Sequence, residues 1–478
     1  MSLRNGVAVM LLACLLMGNR KASPIKTKGP NILFCVADDW GWPHAAGYGD
    51  SVVKTPTFNR LAAEGILFEK AFVSSPSCTP SRGAILTGQD FWRLEQGANL
   101  WSTLDKKFPV YPLLLEKAGY FVGFWGKAWG PGDLAPGGYI DQYPSGNNYK
   151  DGLKEFMDAK PDGQPFCFWL GSKDPHRDYE KGSGAAAGID VNAIKVPVFY
   201  PNEKEIQSDI ADYYYEVQRF DNTVNEAIKL LESRGELENT IIVVTGDNGM
   251  PFPRCKANVY DMGVRVPLVI WWGDRLKKAS VNRNLVSLTD LAPTFLDLAG
   301  VPIPAQMTGR SLKPLLTQSS ESKQNVRDFI VYGKERHTPA QLKPSTNGYP
   351  SRAISSDDYV YILNLFPERW PAGVPAGATH SMNSFTDCDD GPTKRFLIKN
   401  QMNYQKFYDL SFAKRPKEEL YNIKSDPDQL VNLAQNAKFA EIKAKLSKKL
   451  TGYLKSGKDP RFVPPGFDFD AVKYRNKL

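Results

Sequence analysis

The stretch NILFCVADD, residues 31–39, is an apolar run that ends in two adjacent carboxylates, Asp38 and Asp39. The run is short and has no polar residue at alternate positions, a pattern typical of a strand buried on both faces. Such strands occur in parallel sheets, because the helical connections between parallel strands cover both sides of the sheet. The stretch therefore predicts an α/β fold with a buried strand at residues 31–37.

Similar apolar runs alternate with helical patterns as far as residue 300. Strands are predicted at residues 31–37, 121–125, 166–170, 241–245 and 267–272, and helices at residues 57–64, 111–118, 203–232 and 288–299. This alternation predicts a large, mostly parallel sheet that is flanked by helices.

The pattern changes after about residue 325. Residues 329–332 and 359–365 resemble strands without a long helix between them, and a helical pattern covers residues 441–453. A smaller antiparallel sheet with a terminal helix accounts for these features. We therefore expect a main domain at residues 24–325 and a C-terminal subdomain at residues 326–478.

The N-terminal residues have the features of a secretory signal peptide. Arg4 precedes an apolar run at residues 6–17, and small or polar residues follow up to Ser23. Such a run is too short to span a bilayer, so residues 1–23 predict a cleaved leader and a secreted or periplasmic protein. The segment LLAC ending at Cys14 resembles a lipoprotein box, and a lipid anchor at Cys14 is the less favoured alternative.

The overall composition is that of a globular protein and limits the function only weakly. Of the 478 residues, 42% are hydrophobic and 23% are charged, and the formal net charge is +8. This positive excess suits an anionic substrate but does not identify one. Nucleic-acid binding is not expected, since the sequence has no basic run and no recognised nucleic-acid motif.

Cys78 differs from the other cysteines, whose wide and irregular spacing fits neither a zinc site nor a small disulfide framework. Pro80 cannot lie inside a helix but can occupy its first turn, so Cys78 is expected just before a helix start. The aligned amides there favour negative charge beside Cys78, and Arg82 adds a cation about one helical turn further on.

Two polar pairs follow two of the predicted strands, Asp38 with Asp39 and Asp247 with Asn248. The carboxyl ends of parallel strands meet at one edge of a sheet, where such folds bind ligands. Calcium takes six to eight oxygen ligands, several of them carboxylates. The two pairs therefore predict a calcium site at this edge, with magnesium as the alternative on ligand type alone.

The segment CTPSRGAILTG at residues 78–88 resembles the signature of the type I sulfatases, which belong to the alkaline phosphatase superfamily. The similarity extends from Asn31 to the segment ELYNIKSDP at residues 419–427. The segments DPHR at 174–177 and GDNGMPFP at 246–253 are most similar to the heparan N-sulfatase (sulfamidase)-like branch. The resemblance implies an alkaline phosphatase-like fold with a large mixed sheet.

In that family the cysteine of this motif is oxidised to formylglycine by a formylglycine-generating or sulfatase-maturating enzyme. The resemblance therefore implies this modification at Cys78, whose hydrated aldehyde attacks sulfur through one hydroxyl and expels sulfate through the other. It also implies one calcium ion per chain, held by the modified residue 78 with Asp38, Asp39, Asp247 and Asn248. Besides Cys78, the implied catalytic residues are Arg82, Lys127, His176, which would protonate the leaving group, and Lys256.

Trp129 departs from the family pattern, because a histidine usually stands two places after the lysine that Lys127 matches. The base that helps to release sulfate is therefore left open, and we favour His337 over His44 and His380. The indole of Trp129 could instead be a stacking platform for a sugar.

Lys256 is a second departure, since the heparan N-sulfatase branch carries an arginine at this place. Charged donors suit the carboxylates and hydroxyls of a sulfated or uronic sugar. The residues expected to bind substrate are Trp129, Arg177, Arg336, His337 and Arg352.

The predicted function is a sulfatase that hydrolyses sulfate esters, or an N-sulfate, of a sulfated polysaccharide or oligosaccharide. Two alternatives stay open at this point. The same superfamily contains phosphodiesterases and phosphonate hydrolases, and the replacement of a histidine by Trp129 would also suit a catalytically decayed protein that binds sulfated glycans.

Overall fold

The computed structural model describes residues 29–276, 279–317, 327–375 and 384–476. The expected signal peptide, Cys14 and His380 lie outside these residues. The strands are β1 Asn31–Ala37, β2 Ile66–Phe68, β3 Ala71–Phe72, β4 Phe121–Gly126, β5 Asn147–Asn148, β6 Phe166–Gly171, β7 Thr240–Gly246, β8 Arg265–Val266, β9 Leu268–Trp271, β10 Ser280–Asn282, β11 Val286–Ser287, β12 Ile330–Lys334, β13 Ser351–Ser355, β14 Tyr359–Asn364 and β15 Glu418–Asn422. The α-helices are α1 Pro56–Glu64, α2 Cys78–Thr87, α3 Tyr111–Lys117, α4 Leu153–Ala159, α5 Ser183–Ala186, α6 Lys204–Ser233, α7 Asp261–Val264, α8 Leu291–Leu298, α9 Lys313–Thr317, α10 Pro392–Lys399, α11 Gln405–Phe412 and α12 Ala440–Ser456.

The main sheet has eight strands in the order β10-β2-β9-β7-β1-β6-β4-β5. Strand β1 lies in parallel between β7 and β6, with Leu33 opposite both Ile242 and Phe168. The predicted mostly parallel α/β sheet is confirmed. Strand β9 runs antiparallel to both of its neighbours, β7 and β2, and this direction cannot be read from an apolar run.

Strand β1 is buried on both faces, as its sequence predicts. Ile32, Phe34 and Val36 point into one apolar cluster, which includes α8, and the alternate residues Leu33 and Cys35 point into the other, which includes α6. Burying each large apolar side chain contributes about 1.5–3 kcal/mol. The central strand is therefore held from both sides, and its carboxyl end is fixed in place.

The C-terminal part forms a four-stranded antiparallel sheet in the order β12-β13-β14-β15. Leu446, Leu450 and Leu454 of α12 cover one face of this sheet, so the expected small sheet with a terminal helix is present. Strands β13 and β15 were not predicted, because charged residues interrupt their apolar pattern. The boundary at residues 325 and 326 stays a prediction, since residues 318–326 lie outside the described part.

The chain returns to the main sheet after β14. Helix α10 packs against α6, and the Thr393 hydroxyl donates a hydrogen bond of 2.7 Å to Asp209. Within the described residues, no helix is both long and apolar enough to cross a bilayer.

Candidate active site

Four side chains converge where β1 and β7 end and α2 begins. Single ligand atoms of Asp38, Asp39, Cys78 and Asp247 all lie within 4.8 Å of one another, and all four residues are buried. The backbone fixes this arrangement, because Asp247 N donates to Ala37 O at 3.1 Å and Asp39 N donates to Asp247 Oδ1 at 2.9 Å. The predicted meeting of the two polar pairs at one sheet edge therefore occurs in the fold.

Helix α2 begins at Cys78 itself, whereas Cys78 was expected just before the helix start. Ser77 occupies the N-cap. Cys78 Sγ lies 3.3 Å from Asp38 Oδ1 and 3.8 Å from Asp39 Oδ1. Burial and the charge of Asp38 raise the pKa of the Cys78 thiol well above its usual range. The environment therefore disfavours the thiolate, which is the form a cysteine nucleophile needs.

Three cations surround the carboxylates. Arg82 is fully buried, and its Nε donates to Asp247 Oδ2 at 2.6 Å while one terminal nitrogen contacts the Lys127 carbonyl. Lys127 Nζ lies 2.6 Å from Asp38 Oδ2. Lys256 Nζ bridges Asp39 and Asp389 at 2.7 Å and 2.9 Å. Each of the three central carboxylates thus has a cationic partner.

The electrostatics of the cluster favour an additional cation. Burial raises the pKa of Asp38, but the charges of Lys127 and Arg82 outweigh burial and hold it below its ordinary value. Asp247 behaves differently, since burial and the neighbouring charge of Asp38 raise its pKa to about 6. A metal ion between these carboxylates would add positive charge that favours the ionised form of Asp247.

Asn248 supplies a further test of the metal site. Its Nδ2 donates to Asp39 Oδ1 at 2.8 Å, which turns the amide oxygen away from that carboxylate. This Oδ1 is buried and has no hydrogen-bond partner in the described part of the chain. Because a buried polar atom is nearly always paired, the free oxygen together with the carboxylates fits a hard cation such as calcium.

His176 lies at the open side of the cluster, with its side chain 38% exposed and Nε2 3.8 Å from Asp39 Oδ2. Its Nδ1 lies 2.5 Å from the carbonyl of Arg177. A carbonyl can only accept a hydrogen bond, so Nδ1 carries a hydrogen and Nε2 is the atom that can gain or lose a proton. Asp38, Lys127 and His176 all line one cavity of about 700 Å³, here called the catalytic cavity.

Two arginines that were expected to bind substrate have protein partners. Arg352 is fully buried and pairs with Glu335 and Asp459 at 2.7 Å and 2.6 Å. Arg336 is 3% exposed and donates to the carbonyl of Val472 at 2.7 Å. Neither side chain lines the catalytic cavity, and substrate binding by these two arginines stays a prediction.

Arg177 and His337 also have protein partners. Arg177 donates to both oxygens of Asp209 at 2.8 Å and to the carbonyl of Pro251 at 2.9 Å, although it borders the catalytic cavity. His337 is buried with Nδ1 2.8 Å from Ser77 Oγ and does not line the catalytic cavity, so its contact with substrate stays a prediction. Burial lowers the pKa of His337 to about 4, which makes it a weak base for releasing sulfate.

His44 offers no alternative base, because it is buried beside Tyr213 OH at 3.2 Å, and burial lowers its pKa to about 4. Trp129 is half-buried and packs against Gly83 of α2 and Gly132. It lines two cavities next to the catalytic one, so a sugar contact is compatible with its position.

Sequence reasoning missed two residues. Asp389 pairs with Lys256 and forms a second acidic group with Asp39 and His176. The three aspartates within residues 387–390 were the available signal. Trp101 lines the catalytic cavity, and nothing in its local sequence indicated this.

An α/β sheet whose edge joins carboxylates, cations and a buried residue at a helix start defines a hydrolase that acts on anionic groups. The profile of the Sulfatase family matches residues 30–301, so the chain belongs to this family and is a hydrolase of sulfate esters.

Relatives of known function agree with this assignment. The chain is 28% identical to N-sulphoglucosamine sulphohydrolase of Homo sapiens, over 91% of this chain and 92% of the relative. It is 29% identical to an ulvan-active sulfatase of Formosa agariphila, over 96% and 89% of the two chains. A solved Bacteroides thetaiotaomicron structure, described with the metabolism of multiple glycosaminoglycans, has a TM-score of 0.67 at 18% identity and covers 91% and 98%.

Proposed function

We propose that this chain removes sulfate from sulfated glycans, using a formylglycine made from Cys78 and one bound calcium ion. The position of Cys78 Sγ carries the proposal, since it lies 3.3 Å from Asp38 Oδ1 inside the acidic cluster. The position of Sγ marks where the oxygen atoms of residue 78 would lie after the cysteine is oxidised to formylglycine. The sulfatase class itself rests on family membership, and the two cofactors are the proposed part.

Calcium would be held by Asp38, Asp39, Asp247 and the amide oxygen of Asn248, with an oxygen of residue 78. These donors are hard oxygens, as calcium prefers, and magnesium is the alternative. When bound, the ion supplies positive charge that offsets the negative oxygens of a sulfuryl group. Arg82, Lys127 and Lys256 each pair with one of the three carboxylates, so the ion would add positive charge to these pairs.

The modification of Cys78 is supported by the poor chemistry of the unmodified thiol. Its raised pKa leaves little thiolate at neutral pH. A hydrated aldehyde at this position supplies two hydroxyl groups on one carbon. Oxidation would be carried out by a formylglycine-generating or sulfatase-maturating enzyme, which we propose as a partner of the chain.

The remaining residues have distinct roles in this proposal. Lys127 and Lys256 hold sulfuryl oxygens, because their ammonium groups lie at the cluster and can exchange a carboxylate partner for the substrate. Arg82 is too buried to touch a substrate and instead orients Asp247. His176 donates a proton from Nε2 to the leaving oxygen or nitrogen as the bond to sulfur breaks.

The proposed substrates are sulfated saccharides, either glycosaminoglycans or other sulfated polysaccharides. The named activities of the relatives, on N-sulphoglucosamine and on ulvan, support this class. We also propose that residues 1–23 direct export, so that the enzyme meets its substrate outside the cytoplasm, and that lipid anchoring at Cys14 is the alternative.

Sulfate release from defined sulfated oligosaccharides tests the proposal. The protein from its native source should release sulfate with added calcium, and Cys78→Ala should release none. The matched control is Cys35→Ala, which removes another buried thiol from β1 and should stay active. Equal activity of Cys78→Ala and the unaltered protein would refute the proposed nucleophile.

Two further measurements separate the alternatives. Mass spectrometry of the peptide that contains residue 78 should show formylglycine in the native protein, whereas an unmodified thiol favours a glycan-binding protein without catalysis. A phosphonate monoester and a phosphodiester should be hydrolysed more slowly than the best sulfated substrate. The reverse order would assign the site to the phosphoryl branch of the superfamily.

A further inference from the structure

A second cavity of about 720 Å³ adjoins the catalytic cavity and is lined largely by aromatic and apolar side chains, among them Trp101, Trp129 and Tyr143. We call it the aromatic cavity. Trp101 and Pro131 line both cavities, so the two spaces are immediate neighbours. The catalytic residues discussed above do not line the aromatic cavity, and no role in the reaction accounts for it.

The wall between the two cavities is joined firmly to α2, which carries Cys78. Thr79 Oγ1 donates to the carbonyl of Pro131 at 2.5 Å. The segment that contains Trp101 is tied to the same wall, because Ser102 pairs with Gly132 and Asp133 N donates to Ser102 O at 2.9 Å. A binding surface that is already held in place does not have to be ordered when a ligand binds.

Trp101 has a backbone φ of 53°, in the left-handed region that bulky residues rarely adopt. Its carbonyl accepts a hydrogen bond of 2.8 Å from Arg475 N, which helps to hold the conformation. Unfavourable backbone conformations persist where the surroundings impose them, and they concentrate at ligand sites. The conformation places the indole at the junction of the two cavities.

The two cavities differ in their cations rather than in their carboxylates. The catalytic cavity is lined by carboxylates such as Asp38 and Glu216 and also by cations, among them Lys127, Lys173 and Arg219. In the aromatic cavity the charged lining residues of the described chain are Asp133 and Asp141, and neither Lys nor Arg contributes to the wall. Carboxylates repel sulfate and uronate groups, whereas aromatic faces pack against the C–H face of a pyranose ring.

We propose that the aromatic cavity binds the saccharide unit next to the one that carries the scissile sulfate, and that it selects an uncharged, unsulfated neighbour. The proposal rests on the proposed sulfatase function, because its occupant must be continuous with a sulfated unit in the catalytic cavity. Trp101 and Tyr143 provide the stacking surface, and Asp133 and Asp141 exclude anionic neighbours.

The test uses three forms of the glycan that the sulfate-release screen selects. They are the sulfated monosaccharide, its disaccharide with an uncharged, unsulfated neighbour, and the same disaccharide with a sulfated neighbour. For the unaltered enzyme, we expect the unsulfated neighbour to raise kcat/KM about tenfold over the monosaccharide, mainly through KM, since a well-packed aromatic anchor commonly contributes this much to binding. A sulfated neighbour should abolish the gain.

Trp101→Ala should remove the gain for the disaccharide, mainly through KM, and should lower activity on the monosaccharide less than activity on the disaccharide. Tyr143→Ala should reduce the gain in kcat/KM that the unsulfated neighbour provides. The Tyr143 side chain is half exposed, so this variant replaces Trp101→Ala in the test if the tryptophan variant does not fold. The double variant Asp133→Asn with Asp141→Asn should reduce the difference in kcat/KM between the disaccharide with an unsulfated neighbour and the one with a sulfated neighbour. Trp370→Ala, at a tryptophan outside both cavities, is the matched control and should change none of these ratios.

Equal losses on monosaccharide and disaccharide in Trp101→Ala, or no preference for an unsulfated neighbour in the unaltered enzyme, would overturn the proposal. These outcomes differ from failure of the proposed function. In that case the unaltered enzyme would release no sulfate from any of the three forms.

Discussion

Two buried clusters of charges in this protein are built on different plans. At the edge of the eight-stranded sheet, Asp38, Asp39 and Asp247 converge within 4.8 Å, and their cationic partners lie around this group of carboxylates. Beside the four-stranded sheet, opposite charges alternate, because Arg352 pairs with Glu335 and Asp459, and Arg461 pairs with Glu335 at 2.7 Å.

The difference separates function from stability. In a cluster of alternating buried ion pairs, each charged group is paired with another, so no group is left to bind a ligand. In the cluster of converging carboxylates, burial and the charge of Asp38 raise the pKa of Asp247, and the amide oxygen of Asn248 has no partner in the described chain. Perturbed titration and unpaired polar atoms in a cavity are the features that mark functional sites. Burial and charge alone do not distinguish the two clusters.

Removing calcium should cause the largest loss of sulfate release among these predictions. It tests directly whether the acidic cluster is the functional one. We expect a chelator to lower sulfate release by about a thousandfold or more, because a catalytic metal supplies several kcal/mol of transition-state stabilisation. Added calcium should restore activity and raise Tm. Asp38→Asn should lose both responses, whereas Arg352→Met should keep the calcium-dependent rise in Tm. Full activity in the chelator would contradict a calcium site.

Arg352→Met should break the alternating cluster and lower the free energy of unfolding by about 3–5 kcal/mol, since it leaves the Asp459 carboxylate buried without its arginine. Urea unfolding measures the change. The kcat of the folded fraction should stay within about twofold, because Arg352 does not line the catalytic cavity.

The control for this variant is Arg395→Met, which removes an arginine that pairs with Asp390 at the surface. An exposed pair of this kind contributes at most about 1 kcal/mol. If Arg352→Met instead abolished sulfate release while the protein stayed folded, the division between a functional and a structural cluster would be wrong.

His337 lies between the two clusters and should make stability depend on pH. Burial lowers its pKa from 6.5 to about 4, so the unfolded chain takes up a proton over a range in which the folded chain does not. The contribution to stability is present above pH 6.5 and is lost as the pH falls toward 4, by about 3 kcal/mol in total.

Urea unfolding at several pH values checks this expectation. His337→Gln should weaken the loss of stability between neutral pH and pH 4. Parallel curves for the unaltered protein and His337→Gln would contradict a buried neutral histidine.

His176→Ala should give the smallest of these changes when each is expressed as a free energy, about 2.7 kcal/mol. It tests the role assigned to His176 at the open side of the acidic cluster. We expect about a hundredfold loss of kcat on a sugar sulfate, where the leaving oxygen needs a proton. An aryl sulfate with a good leaving group should lose much less. A uniform loss on both substrates would assign His176 to binding rather than to proton transfer.

The sequence by itself determined the α/β class, the buried strand at residues 31–37 and the two polar pairs at the carboxyl edge of the sheet. These features follow from local rules, because a strand buried on both faces needs an unbroken apolar run and its end exposes the next polar residues. The motif that begins at Cys78 was also sufficient to indicate the Sulfatase family, which the match over residues 30–301 confirmed.

Tertiary structure decided the rest. Arg352 and Lys256 are both basic residues in mixed surroundings, and only the fold places the first between Glu335 and Asp459 and the second between Asp39 and Asp389. The direction of β9 and the position of Trp101 at the junction of two cavities also come from contacts between distant segments. A residue's partner across the chain is not encoded in its neighbours, so local patterns identify candidate charges but cannot tell which of them stay free to act.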